Sequence, residues 1–332
     1  MYRYILKRLL MAIPVLIGAT FLVFTIMHFA PGDPAKIILG SSATEAALEL
    51  KREELGLNDP FFVQFGNFML GLLQGDMGTS YRTGQAVTSM IAARFWNTLI
   101  LASSGMIFAV IIGIPVGIIS AVKQYSTLDK ATMFITLFFM AVPTFWFALI
   151  LVIIFSLNLG WFPPSGMAHG FPEILNSLVL PTITLGFGFA ALIARTTRSS
   201  VLEVMRQDYI DTARSKGITE RKVIWKHMMK NALIPIVTII GLNFGSLLGG
   251  SVLTETIFSW PGVGRFVVES ISYKDTPAVL GSVVTLAVLF SLVNLVVDIL
   301  YSFLDPRIKA QYKTQTKTKT KTKTKTQTQG TQ

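Results

Sequence analysis

Long apolar runs alternate with short polar segments along the chain. Six of these runs approach or exceed the roughly 20 residues that a helix needs to cross the hydrocarbon core of a bilayer. They cover, approximately, residues 9–30, 97–122, 131–157, 178–194, 232–256 and 280–303. The pattern therefore predicts an all-α membrane protein with six transmembrane helices.

The apolar runs divide the chain into four parts. A signal-anchor helix is expected at 1–30, because its apolar run is longer than that of a cleavable signal peptide. An extracytoplasmic segment at 31–96 and a core domain at 97–309 follow, and the core contains five helices and a polar loop at 195–231. The Lys/Thr tail at 310–332 lacks apolar residues to bury, which predicts disorder, with weak attraction to the inner leaflet as the alternative.

One stretch of the segment 31–96 is apolar without qualifying as a span. The run "FFVQFGNFMLGLLQGDMG", residues 61–78, has apolar residues at helical spacing but also many glycine and polar residues. It is interpreted as surface or re-entrant helix rather than as a seventh crossing.

Glycine and proline interrupt several of the spans. They are Gly113, Pro115, Gly117, Pro143, Pro181, Gly186 and Gly188. Each weakens the backbone hydrogen bonding of its helix. Lipid offers no hydrogen bonds, so a neighbouring helix or a water-filled cavity must pair the freed backbone groups. In the fifth span, Gly241, Gly245 and Gly249 recur every four residues and form a smooth face for helix contact. Packing within one bundle and a moving helix at a translocation interface are both compatible with this pattern.

Composition and charge support a membrane protein and predict its orientation. The chain is 52% hydrophobic and 14% charged, with a mean hydropathy of +0.58, whereas soluble domains are about 25% charged. Of its 29 Lys and Arg residues, 22 lie on the side of the spans that holds both termini. Cations are retained on the cytoplasmic side, so the N and C termini are predicted to be cytoplasmic.

Candidate catalytic, metal and cofactor chemistry is sparse. The chain has no cysteine, and its three histidines, His28, His169 and His227, are too far apart for a metal-binding pattern. It has no GxxxxGK[ST] loop for ATP, and "PGVGR" at 261–265 follows no strand, which makes it a weak phosphate site. The sequence predicts a protein that is not an enzyme and holds no cofactor or metal. If the chain transports a solute and needs energy to do so, that energy would come from another chain or an ion gradient.

Ionisable residues within the predicted spans lie near their ends. His28 and Glu255 are near the outer ends and Asp298 is near an inner end. A proton-driven carrier usually has such groups near the midplane, where a charge is costly. Asp298 is therefore interpreted as an interfacial residue rather than a proton relay.

The polar loop 195–231 is predicted to form a helical hairpin. One helix starts at Arg195 and has an apolar face made of Val201, Leu202, Met205 and Tyr209. Gly217 is placed to stop it in a left-handed conformation, and Thr219 to cap a second amphipathic helix. The flanking spans argue against nucleic acid as a partner, which leaves lipid contact and docking of a protein open.

The hairpin resembles the cytoplasmic-loop signature of binding-protein-dependent ABC importer permeases, a Glu-Ala-Ala triplet followed by glycine. In "DTARSKG", Asp211, Thr212 and Ala213 occupy the triplet and Gly217 the glycine. Only Ala213 of the triplet is retained, and "ALIP", ending at Pro235, comes five residues late. Both departures are typical of the peptide and nickel permeases, to which "PGDP", "GDMGTS", "LGWFPPSG", "LPTITLG" and "SWPGVGR" are also similar in order, over residues 1–309.

This resemblance implies a type I ABC importer permease in a bacterial or archaeal plasma membrane. Its partners would be a second homologous permease, two ABC ATPase subunits, an extracytoplasmic solute-binding protein and membrane lipid. The function implied is import of dipeptides or oligopeptides by alternating access driven by the ATPases. Nickel or glutathione import by the same machinery is the alternative, and a stand-alone secondary transporter is a further one.

The resemblance also implies which residues couple the permease to its ATPases. They are Tyr209, Asp211, Ala213, Arg214 and Gly217. In this interpretation Ala213 and Gly217 allow close approach, whereas Asp211 and Arg214 make charged contacts. The resemblance leaves the residues that line the substrate pathway unassigned.

Overall fold

The computed structural model describes residues 2–40, 42–168 and 170–304, and it is helical almost throughout these ranges. The helices are α1 (Tyr2–Phe29), α2 (Pro34–Leu39), α3 (Glu45–Glu54), α4 (Phe61–Leu73), α5 (Val87–Val122), α6 (Thr127–Ala141), α7 (Thr144–Leu151), α8 (Glu173–Met205), α9 (Asp208–Ser215), α10 (Glu220–Lys222), α11 (Met229–Ile257), α12 (Val263–Ser272) and α13 (Thr276–Leu304). Two π-helical segments, Val152–Asn158 and Val223–Met228, continue α7 and α10. His169, the side chain of Asp298 and the tail at 310–332 lie outside the described residues.

The described part of the chain contains five helices that are long and apolar enough to cross a membrane, and a sixth, bent candidate. The five are Ile5–Phe29, Val87–Val122, Glu173–Met205, Glu220–Gly249 and Thr276–Val297. The sixth consists of two arms, Thr127–Ala141 and Thr144–Asn158, and is bent by 103° between them.

The third predicted span, 131–157, is therefore bent rather than straight. Pro143 lies at the bend and precedes the first residue of the second arm. Proline has no amide hydrogen and restricts the residue before it, so the α-helical ladder breaks there.

Helices α2 to α4 form a small cluster beside α1. Asp33 of the "PGDP" motif caps α2 by accepting a hydrogen bond from the Ala35 amide at 2.9 Å, and it also binds Arg52 of α3 at 2.7 Å. Burial alone would raise the pKa of Asp33, but the hydrogen bonds from Arg52 and Ala35 leave it lowered. Helix α4 is about 20 Å long at 1.5 Å per residue, too short to cross a bilayer.

The core is organised by α5 and α8, which cross with their backbones nearly in contact. A β-carbon at Gly117 would lie 2.5 Å from the Ala194 carbonyl oxygen, and one at Gly113 would lie 2.7 Å from that of Ala190. Helix α5 stays a single helix through Pro115. At these positions glycine therefore permits close packing rather than interrupting the span.

The glycines of α11 pack in the same way against α13. A β-carbon at Gly241 would collide with Val297, and one at Gly245 would lie 3.0 Å from the ring of Phe290. At Gly249 no atom of the described chain lies within 4 Å of that position. The predicted smooth face is thus a helix contact over two of its three glycines.

Two glycines of α8 give a matched test of this packing. We expect Gly186→Ala to lower the free energy of unfolding by about 1–3 kcal/mol, since its methyl group would lie 2.5 Å from the Gly105 carbonyl oxygen. Gly188→Ala meets no atom within 4 Å and should be neutral, or stabilising by up to about 1 kcal/mol. Unfolding midpoints in one detergent measure both, and equal midpoints would contradict the backbone contact.

Candidate functional site

The hairpin between α8 and α11 is closed by a tight glycine turn. Gly217 has φ = +75°, and its amide donates to the Arg214 carbonyl at 2.9 Å, while the Ile218 amide donates to the Ala213 carbonyl at 3.4 Å. This pair of bonds is the Schellman motif that ends a helix at a left-handed residue. The predicted helix stop at Gly217 is confirmed.

Side-chain bonds hold the two arms of the hairpin and attach it to α11. Arg214 of α9 donates to Glu220 of α10 at 2.7 Å, and it is 3.4 Å from Asp211 on its own helix. The hydrogen bond to Glu220 is the chief reason why the pKa of Arg214 is raised. Asn231 of α11 donates to the Tyr209 hydroxyl at 2.7 Å, so the hairpin is tied at both its tip and its base.

The first arm differs from the predicted continuous helix. Helix α8 ends at Met205, and α9 begins only after the extended residue Gln207. Val201 and Leu202 are consequently buried in α8, whereas Tyr209 belongs to a separate helix and is exposed. Thr219 does occupy the N-cap of α10, but its side chain makes no capping hydrogen bond.

The five predicted coupling residues lie in one hairpin but do not share one surface. Tyr209, Asp211 and Gly217 are exposed, and the Asp211 side chain is 72% accessible. Ala213 is only 5% exposed and packs in the same core cluster as Ile210 of α9 and Val223. The close approach that Ala213 allows is thus to the interior of its own chain.

An ion pair between Asp129 and Arg198 holds α6 against α8, and the sequence did not predict it. Both Asp129 oxygens accept from Arg198 of α8, at 2.7 and 2.8 Å, and Asp129 also accepts from the Ser120 hydroxyl and the Tyr125 amide. It thereby joins the end of α5, the start of α6 and α8. The spacing Ser126-Thr-Leu-Asp129 is a capping-box pattern and could have marked Asp129 as structural.

At the other end of the bundle, the "PGVGR" loop encloses the carboxylate of Glu255. Glu255 is fully buried and accepts hydrogen bonds from the Arg265 amide at 2.9 Å, the Thr98 hydroxyl at 2.9 Å and the Ser251 hydroxyl at 3.1 Å. The amide of Gly264 also donates to it, and a β-carbon at Gly262 would collide with it. The first amides of α12 therefore bind an anion, as helix N-termini do, but this anion belongs to the chain itself.

Tryptophan and asparagine side chains fasten the same loop to α5. The indole nitrogen of the fully buried Trp260 donates to the Asn97 carbonyl at 2.9 Å, and the Asn97 amide donates back to the Pro261 carbonyl at 2.9 Å. Within the described residues, no group of three or more His, Cys, Asp or Glu side chains could hold a metal ion.

Two family models match the chain. Residues 113–310 match the model described as binding-protein-dependent transport system inner membrane component, and residues 1–102 match the model of the corresponding N-terminal part.

Several known proteins are similar to it over most of its length. The dipeptide transport system permease protein DppB of Alkalihalophilus pseudofirmus is 46% identical, covering 93% of this chain and all of that one. The oligopeptide transport system permease protein AppB of Bacillus subtilis is 44% identical, with 93% of this chain and all of AppB covered. The glutathione transport system permease protein GsiC of Salmonella typhimurium is 42% identical, with 93% and 99% covered.

A solved structure shares the fold. The inward-facing MetNI methionine ABC transporter contains a chain that superposes with a TM-score of 0.56 at 20% identity, covering 65% of this chain and 96% of its own. At this identity the likeness supports the helical architecture alone.

The enclosed carboxylate gives a test that separates charge from hydrogen bonding. Glu255→Leu removes the acceptor of two buried amides, so we expect the free energy of unfolding to fall by about 3 kcal/mol. Glu255→Gln keeps one acceptor oxygen in place and should lose about 1 kcal/mol. Thermal unfolding of both variants in the same detergent measures the difference. A Leu variant as stable as the Gln variant would show that the hydrogen bonds from the α12 amides to Glu255 do not stabilise the fold.

Proposed function

The chain belongs to the family of binding-protein-dependent transport permeases, in the dipeptide and oligopeptide branch of the ABC importers, and from this membership we propose that it imports short peptides. It is a multi-pass inner-membrane protein. The observation that supports the substrate class is the 46% identity to a dipeptide permease over 93% of the chain. The 42% identity to a glutathione permease keeps glutathione as the second candidate, since it is itself a small peptide.

The proposed complex supplies what this chain does not. A second homologous permease completes the pathway, two ABC ATPase subunits bind and hydrolyse ATP, and an extracytoplasmic binding protein delivers the peptide. The distribution of Lys and Arg supports cytoplasmic termini, which places the hairpin of α9 and α10 in the cytoplasm and the α2–α4 cluster outside. The division at 1–30, 31–96 and 97–309, with a tail at 310–332, belongs to the same proposal.

The α9–α10 hairpin is the proposed contact with an ATPase. Its exposed residues Tyr209, Asp211 and Gly217 form the contact surface, whereas Arg214 and the buried Ala213 keep the hairpin stiff. Stiffness matters because a hinge inside the hairpin would dissipate a displacement before it reached the membrane. The second arm runs through the π-helical segment Val223–Met228 into α11, whereas residues 206–207 join the first arm to α8. Because α8 and α11 pack against each other, a displacement of the hairpin moves the core.

Alternating access then needs only a difference in binding energy. If the ATPases with bound ATP grip the hairpin more tightly in one arrangement of the bundle, that arrangement becomes the populated one. Hydrolysis releases the grip and returns the bundle to the other arrangement. Ala213→Glu is not a suitable test of this coupling. Because Ala213 is buried, the substitution would place a charge in the core and disturb folding as well as coupling.

Asp211 provides the cleaner test of coupling. We expect Asp211→Arg to reduce peptide uptake and co-purification of the ATPases at least tenfold, because it reverses the charge of an exposed side chain in the proposed contact. The matched control is Glu53→Arg, because Glu53 is an exposed acid in α3 whose side chain makes no hydrogen bond within the described residues. Both variants should unfold at the wild-type temperature, and wild-type uptake by Asp211→Arg would remove the hairpin from the coupling path.

The substrate class is tested by competition in the reconstituted complex. Uptake of labelled alanylalanine should be inhibited by unlabelled dipeptides and tripeptides, because family membership favours peptide substrates. Glutathione and Ni²⁺ are added in parallel arms. These arms measure uptake of labelled glutathione and of Ni²⁺ themselves. If the complex takes up only glutathione or only Ni²⁺, that solute replaces dipeptides and oligopeptides as the assigned substrate. ATP-dependent uptake of any of the three still identifies the complex as an importer.

A further inference from the structure

A polar cavity lies between the loop at 79–86, the first turns of α5 and one face of α12. Its volume is about 240 Å³. Phe266 and Ser270 line it from α12, and Tyr273 lines it from the C-cap of that helix. Arg82 and Arg94 line it from the loop and from α5.

Both guanidinium groups are held over aromatic rings and lack an acidic partner. The guanidinium carbon of Arg82 lies 3.7 Å from the centre of the Tyr273 ring, and that of Arg94 lies 4.6 Å from the centre of the Phe266 ring. Among the described residues neither arginine forms an ion pair, and Arg94 donates one hydrogen bond, to the Met90 carbonyl at 2.7 Å. Each guanidinium has five N–H donors, so several remain for a ligand.

The remaining polar groups of the cavity indicate the charge of that ligand. Asp275 already accepts from the Ser80 hydroxyl and from the Tyr81 amide at 3.0 Å, and Glu269 accepts from Arg265 at 2.8 Å. Ser270, a residue only 4% exposed, also lines the cavity. The groups that lack a charged partner are therefore the two guanidinium groups, which suit an anion with oxygen acceptors.

We propose that this cavity binds the terminal carboxylate of a short peptide on the outer side of the permease. The proposal rests on the proposed function for its substrate class and orientation. A forked guanidinium matches the two oxygens of a carboxylate. This volume is many times the roughly 10–15 Å³ that a cavity needs to hold one water molecule, so the cavity has room for a small dipeptide and not only for one acidic side chain of a docking protein.

The test measures binding of alanylalanine to the complete complex in lipid nanodiscs, with the binding protein omitted. Calorimetry should detect binding of alanylalanine, and binding at least tenfold weaker for alanylalanine amide, which lacks the carboxylate. The double variant Arg82→Gln with Arg94→Gln should weaken alanylalanine binding at least tenfold without changing affinity for the amide. Lys36→Gln removes a positive charge from an exposed position in α2 and should bind as the wild type does.

Three results would overturn the proposal. They are an absence of alanylalanine binding to the wild type, equal affinity for the peptide and its amide, and unchanged peptide affinity in the double variant. In a separate titration, the solute-binding protein is added to the same complexes. If the double variant weakens only this binding, the arginines serve docking of that protein and the proposal is wrong. If the wild-type complex transports peptides but the double variant binds alanylalanine as tightly as the wild type does, the cavity is not the binding site and the proposed function still stands. Wild-type complex that takes up no peptide rejects the proposed function.

Discussion

The architecture depends on how closely α5 and α8 approach. Lipid gives apolar helices no hydrophobic reason to associate, so the helices of a membrane bundle are held by van der Waals contact, and that contact is greatest where no side chain separates the backbones. Gly113, Gly117 and Gly186 create such a crossing. Helix α11 packs on both members of this pair, α6 is fastened to α8 through Asp129 and Arg198, and the hairpin extends from the end of α8.

Features set by local geometry could be predicted from the sequence. Apolar runs of sufficient length indicated the spans, and the helix stop at Gly217 follows from a residue type that alone adopts positive φ without strain. The four-residue spacing of Gly241 and Gly245 predicted a helix contact but could not name α13 as the partner. Proline at position 143 predicted a weakened ladder, whereas the 103° angle depends on what the two arms pack against.

Long-range pairings were beyond the reach of sequence reasoning. Arg198 and Asp129 are 69 residues apart, and each could equally be a solvated charge at the membrane surface. The exposure of Tyr209 was unpredictable for a related reason. Residues 206–207 separate α8 from α9, and a single apolar periodicity drawn through both helices assigns Tyr209 to the buried face, although it is exposed. The proposed role concerns the hairpin as a unit, but its exposed surface is smaller than the sequence pattern implied.

The enclosed Glu255 has a consequence for how the joint between α11 and α12 responds to its surroundings. An anion that is covalently part of the chain has an effective concentration at its binding site that the fold fixes, and for closely tethered groups this reaches millimolar values or more. The first amides of α12 are therefore occupied without any ion from solution, and an ion from the medium would have to displace Glu255 to reach them. The joint between α11 and α12 thus carries its own counter-ligand and does not need one from the medium.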